Sequence, residues 1–411
     1  MQTKLLTLYF PLLLAGAAGA ADWPRFHGPD GTGTSDAKLA DTWSDTENII
    51  WKTPLPGMGA SSPVVVGKKI FLTCSKGGAD DVERHVMCID ADKGSVIWDK
   101  TVESELPEQG KIREDHGYAS STPVANATHL FVFFGKSGVF CFDHAGKQIW
   151  NKKVGSELNG WGSAASPVLY KKLVLVNASI ESKSLVALDQ ATGNEVWTAP
   201  GVNDSWHAPV LAPRPDGSAE VITAMTNEVK SFDADTGKQL WRCKSGIQWY
   251  MCPEPVYKDG VVYCVGGRSG TGGLAIRTGG SGDVTKTNVL WSLSKGTNVP
   301  SPILHKGHVY YAHENLGVVN CIDAKSGEVV YAERLDPNPG QIYASPILAN
   351  GKLYYLGRGG QMVVVSAEPE FKVLSNAKLE NGRGVFNASP AVIGDRMLIR
   401  SNKFLYCIGS K

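Results

Sequence analysis

Net charge is almost absent from this chain: 41 Lys and Arg stand against 40 Asp and Glu over 411 residues, leaving +1. That balance gives no bulk electrostatic reason to bind nucleic acid or an anionic membrane face. Long apolar runs are missing too, since nothing beyond the first twenty residues approaches the ~18 that a membrane-spanning helix needs. The nine histidines lack zinc-ligand spacing apart from His305 and His308, and two ligands do not make a zinc site. Asp204, Ser205 and His207 are close in sequence, but a triad is defined by geometry and not by sequence proximity. The Gly-Thr-Gly stretch after Asp30 lacks the Lys of a phosphate loop and the distal Glu of a calcium loop, so it reads as a turn.

What is present is a repeat. Pro63, Pro123, Pro167, Pro209, Pro255, Pro302, Pro346 and Pro390 each open a pair of short apolar runs, and after a first step of 60 residues they recur every 42 to 47. The unit is clearest at Ser166-Pro167-Val168, then Leu173 to Val176, then Leu185 to Asp189, then Gly193 to Trp197. Runs of four or five Val, Leu and Ile bounded by Gly, Lys, Asn or Asp are short strands between tight turns. An Asp, a Gly four later and an aromatic four after that mark Asp90/Gly94/Trp98, Asp189/Gly193/Trp197, Asp233/Gly237/Trp241 and Asp323/Gly327/Tyr331, with a shortened copy at Asp143/Gly146/Trp150. Strands at this period mean propeller blades, and an array of them forms one body whatever its length. The expected fold is therefore all-β, an eight-bladed β-propeller of four-stranded blades.

The pattern of a strand followed by Leu-x-Ala-Leu-Asp-x-x-Thr-Gly-x-x-x-Trp resembles the pyrroloquinoline-quinone-type (PQQ-like) propeller repeat over residues 47 to 411, including its BamB-like exported members. The resemblance implies that Trp51, Trp98, Trp150, Trp197, Trp241 and Trp291 dock between blades, as a large apolar ring with one N–H donor does well when nearly buried. The last unit stops after a third strand at Leu405 to Ile408, whereas Ile49 to Thr53 is a fourth strand with no blade before it. An N-terminal strand completing the last blade would leave no open seam.

Residues 1–20 read as a signal peptide, with Lys4, an apolar run to Ala15 and Ala18-Gly19-Ala20 for cleavage near Ala20. The mature chain is then expected in the periplasm or secreted, without a lipid anchor, as a monomer. Residues 21–46 form a strap, with Trp23 and Phe26 as anchors. Cys88, Cys141, Cys321 and Cys407 share one third-strand slot in different blades, where a Cys serves as a small hydrophobe, and are expected to form no disulfide from blade to blade. The remaining disulfide candidates are Cys74 with Cys88, and Cys243 with Cys252 or Cys264.

Candidate binding residues lie in the segments leading into the innermost strands. Trp161, Trp206 and Trp249 stand six, three and six residues before a repeat proline, with Tyr118, His207, Tyr250, Tyr343 and Phe386 nearby in the pattern. Together they describe either an aromatic funnel for a ligand or a plug of the axial channel. Glu254 precedes its proline where most blades carry Ser, Thr or Ala, and it is expected at the funnel mouth beside Trp249 and Tyr250. Arg113, Glu114, Asp115 and His116 occupy the long insertion before blade two, where loops often carry function. Blade five replaces the repeat Asp by Arg277 and inserts Gly279 to Asp283, either an anion-binding backbone loop or a flexible one.

No catalytic residue and no metal ligand set follows from these observations, and no cofactor is expected. The favoured reading is a soluble exported binding or scaffold module with an unknown protein, peptide or small-molecule ligand. The alternative implied by the resemblance is a quinoprotein dehydrogenase acting on alcohols or sugars with PQQ and calcium. Such enzymes carry an adjacent Cys-Cys pair and a Glu, Asn and Asp set on calcium, and this sequence has no Cys-Cys.

Overall fold

The computed structural model describes residues 22–110, 112, 116–267, 270–379 and 384–410. Residues 1–20, read above as a signal peptide, and Arg113, Glu114 and Asp115 lie outside them. Among the described residues the longest helix is the four-residue Thr285–Asn288, so no helix is long and apolar enough to cross a membrane.

Eight antiparallel sheets follow in chain order as blades of a propeller, spanning 64–102, 124–152, 168–200, 210–244, 256–293, 303–334 and 347–378, with an eighth formed by Ala391–Ile393, Arg396–Arg400 and Phe404–Ile408. The eighth is completed by Ile49–Pro54, which pairs antiparallel with the last strand through Trp51↔Cys407 and Thr53↔Leu405. The ring is thus closed by hydrogen bonds between the two ends of the chain, as its orphan strand and incomplete last unit required.

The middle strands are apolar on both faces because the core lies between blades. Phe71 and Val86 of blade one share a cluster with Leu130 and Phe140 of blade two. Likewise Leu185 and Ala187 of blade three meet Val221 and Phe232 of blade four. Each repeat therefore buries its sheet only against its neighbours.

The repeat Asp, Gly and Trp form one interlock. The Asp carboxylate accepts backbone N–H groups of its own turn, as Asp189 does from Ala191 and Thr192. Such bonding within the turn, led at Asp189 by the Thr192 hydroxyl and at Asp143 and Asp323 by backbone N–H groups, holds these carboxyls below their ordinary range. The turn presents its Gly to the Trp of the preceding blade. A Cβ at Gly94, Gly193, Gly237 or Gly327 would stand 2.5–2.6 Å from the ring of Trp51, Trp150, Trp197 or Trp291. Those indoles donate Nε1–H to carbonyls of the next blade, at Ala91, Gln190, Ala234 and Ala324, over 2.9–3.2 Å.

Trp241 departs from this rule because blade five has no such Gly. Its Nε1–H donates instead to the buried Glu220 within its own blade at 2.7 Å. The glycine-rich insertion is anchored at its end: Gly282–Asp283 pairs in parallel with Trp241 and Arg242 as a fifth strand of blade four. All eight cysteines are unbonded. The candidate Cys74–Cys88 disulfide fails on register, since Cys74 lies opposite His85 and Cys88 opposite Phe71. Cys243 and Cys264 share a core cluster as free thiols, and Cys252 is likewise free.

Candidate functional site

The residue before each repeat proline sits where an innermost strand begins, and most of these residues carry a hydroxyl. The backbone N–H of one donates to the side chain of the next blade's equivalent. Glu254 donates to Ser301, Ser301 to Ser345, Ser345 to Ser389, Ser389 to Ser62, Ser62 to Thr122 and Thr122 to Ser166, all over 2.9–3.0 Å. The chain of bonds runs round the axis and stops at Ala208, which has no hydroxyl. All six hydroxyl residues are buried.

These hydroxyls line the inner end of a cavity of about 240 Å³, whose outer wall carries Trp161, Trp206, Tyr250 and Tyr343. Tyr250 is the hub of the aromatic wall, with Trp206 edge-on at 5.3 Å and Trp161 and Trp249 tilted against it at 5.9 and 5.3 Å. Trp206 is fixed by an Nε1–H bond to the Gly162 carbonyl at 2.8 Å, whereas Trp161 is half exposed. Arg358, which is not part of the lining, packs 4.4 Å over the Tyr343 ring and donates to Asn387.

The structure thus gathers Trp161, Trp206, His207, Tyr250 and Tyr343 of the expected set, and it adds His116, Asn298 and Asn387. Trp249 does not line the cavity and instead backs Tyr250. His207 offers its ring but no free nitrogen: Nδ1 donates to the Ala208 carbonyl at 2.6 Å and Nε2 accepts the Ala224 N–H at 3.0 Å. Burial holds its imidazole below the ordinary range, so it is neutral. Ser205 bonds Asn177 and Thr223 and makes no relay with His207. Tyr118 also lies elsewhere, donating to the Gln109 carbonyl beside a smaller cavity that holds the buried Arg84–Glu108 pair and Glu181. Phe386 packs into the core between the last blades.

Glu254 requires a correction, because it is buried behind the hydroxyl ring and does not stand at the mouth. There it pairs with Arg25 of the strap. Burial pushes its carboxyl up to about 7 against the pull of Arg25. Sequence spacing placed Glu254 near the axis, but a side chain that follows the strand inward meets the strap and not solvent.

The strap itself crosses the axis. Trp23 pairs with Val65 of blade one, Arg25 reaches blade five opposite, and Thr34–Ser35 pairs in parallel with Leu348 and Ala349 of blade seven. Phe26, stacked on His27 at 4.8 Å, enters the cavity and floors it. Burial, with the charge of Arg25 second, drives the His27 imidazole down to about 3. On the far side of the strap a second cavity of about 310 Å³ is walled by Val124, Val168 and Val210, each two residues further along its strand than the hydroxyl ring position.

The cavity does not suit PQQ with calcium. Its described lining contains no Asp, Glu, Lys or Arg and a single cysteine, Cys252. A carboxylate-bearing quinone needs cationic partners, and calcium needs several oxygen ligands with carboxylates among them.

Comparison with known proteins agrees with this architecture. The family model described as outer membrane protein assembly factor BamB matches residues 82–333 and 225–369. The BamB of Yersinia pestis is 22% identical over 391 residues, covering 89% of this chain and 88% of that protein. Tetrathionate hydrolase of Acidithiobacillus ferrooxidans is 22% identical over 336 residues, and the match spans 75% of this chain but 65% of that enzyme. Among solved structures, BamB from Moraxella catarrhalis superposes with a TM-score of 0.61 at 14% identity, covering 88% of this chain and 99% of that one. A europium-containing methanol dehydrogenase gives 0.69 at 12% identity, covering 95% and 98%. At those identities the solved structures speak for the fold alone, whereas the family match extends over more than half of the sequence: the chain belongs to the BamB family of PQQ-repeat propellers.

Proposed function

We propose that this protein is a binding or scaffold propeller of the cell envelope, which receives its ligand in the axial cavity floored by Phe26. One observation carries the reading: the cavity joins a half-exposed Trp161 and its aromatic neighbours to uncharged polar groups, the composition of a recognition site. Its described lining has two imidazoles, His116 and His207, but no carboxylate to pair with either, and His207 has both nitrogens engaged. The envelope location rests on the BamB relatives and on the signal-like opening of the sequence.

The competing reading is a PQQ-dependent dehydrogenase, favoured by the fold neighbours and opposed by the cavity lining. Purified protein is incubated with PQQ and calcium, desalted, and assayed for a retained chromophore and for dye reduction with alcohols and sugars. The binding reading expects neither. A stoichiometric chromophore with substrate-dependent dye reduction would replace it with the enzyme.

A further inference from the structure

The six hydroxyls of the axial ring are only half used. A Ser or Thr hydroxyl offers one donor hydrogen and two acceptor sites. Each of Ser62, Thr122, Ser166, Ser301, Ser345 and Ser389 accepts one backbone N–H. None donates its own hydrogen to a protein group among the described residues, so each keeps a donor and a lone pair facing the cavity it lines. Asn298 adds a complementary group. Its backbone N–H donates to Glu314 and its Nδ2–H to Tyr250 at 3.1 Å, yet its Oδ1 is buried without a partner.

Leaving such groups dry and unpaired costs on the order of 1–3 kcal/mol each, so the cavity is built for a partner that both donates and accepts several hydrogen bonds. An oxyanion only accepts. It would satisfy the hydroxyl donors but not Asn298 Oδ1, and it would meet no cation in the described lining. An apolar side chain would satisfy none of them. A neutral polyol matches both needs, and if it is cyclic its C–H face fits the exposed ring of Trp161 at the mouth.

From this we infer that the axial cavity binds a neutral saccharide ring, with its hydroxyls on the Ser/Thr ring and Asn298 and its apolar face against the Trp161 wall. The inference rests on the binding-module reading above and narrows it to a ligand class. The same chemistry is offered by a free sugar and by the end of a glycan chain, and the cavity's opening past Trp161 admits either.

The full mature chain is titrated with D-glucose, N-acetyl-D-glucosamine, cellotetraose and chitotetraose, followed by tryptophan emission and calorimetry. Sulfate and a neutral Trp-containing tetrapeptide serve as controls. At least one saccharide should bind saturably, and Trp161→Ala should weaken it roughly tenfold, or about 1.4 kcal/mol. The melting temperature should be unchanged, because Trp161 is half exposed. Binding by tetrasaccharides but not monosaccharides assigns the site to chain ends, and equal binding assigns it to the free sugar. Asn298→Ala should also weaken binding, and if that variant does not fold, Trp161→Ala still decides. Saturable binding of the peptide or of sulfate, with no saccharide bound, overturns the saccharide inference and leaves a binding module. No binding by any probe, with a large fall in melting temperature for Trp206→Ala, overturns both and leaves the aromatic cluster as a plug.

Discussion

The interlock between each repeat Gly and the preceding blade's Trp predicts a difference between two glycines that look alike in sequence. Gly237 and Gly260 both adopt left-handed backbone conformations, with φ of +72° and +79°. Alanine at either position incurs the left-handed cost of roughly 1–2 kcal/mol. At Gly260 nothing lies within 4 Å of the new Cβ, so the cost ends there. At Gly237 the Cβ would stand 2.6 Å from the Trp197 ring, which must move. Overpacking of this kind adds about 1–3 kcal/mol. Loss of the Trp197 Nε1–H bond to the Ala234 carbonyl adds about 1 more. Gly237→Ala should therefore cost about 3–6 kcal/mol. Extending the size dependence of melting to a ring this long, at roughly 1–2 °C per kcal/mol, gives a shift of about 6 °C against about 2 °C for Gly260→Ala. Differential scanning fluorimetry measures both. Combining Gly237→Ala with Trp197→Leu should cost less than the sum of the single changes. Equal shifts for the two glycines, or strict additivity in the double variant, would refute the interlock.

Two further outcomes follow from buried charge. Arg25→Met leaves the Glu254 carboxyl buried without its partner and should cost about 3–5 kcal/mol. Adding Glu254→Gln should recover more than half of the lost melting temperature, and failure to recover any would deny the strap its ionic anchor. Burial raises the Glu181 carboxyl from 4.5 to about 7. The folded state then binds the extra proton between those values, so this contribution is full below pH 4.5 and is lost as pH rises through 7, by about 3 kcal/mol in all. Glu181→Gln should accordingly gain melting temperature relative to the parent at pH 8.5 but not at pH 4.5, and a gap that does not grow with pH would contradict the assignment.

The ring was legible in the sequence because a propeller blade cannot bury its faces alone. Every repeat carries the same apolar runs and most carry the turn Asp and the Gly–Trp contact, and the orphan strand at Ile49–Pro54 must find the unfinished last blade. Local chemistry and period are enough to specify such a fold. They also placed Trp161, Trp206, His207, Tyr250 and Tyr343 at one end of the axis, since the segments feeding the inner strands converge there. The hydroxyl before six of the eight repeat prolines was visible too, but its role was not: a Ser or Thr every forty-odd residues becomes a chain of bonds round the axis only when the blades close.

What the tertiary structure alone decided concerns contacts between segments with no shared period. The strap binds blades one, five and seven, and so it turned Glu254 from a supposed mouth residue into the buried partner of Arg25. The insertion after Arg277 supplied a strand to blade four, beside a Trp241 that bonds Glu220 of its own blade and no carbonyl of the next. Neither residue type nor spacing encodes such pairings. They are set by which side chains reach one another once the ring has closed, and that geometry made Phe26, an anchor by sequence, the floor of the cavity.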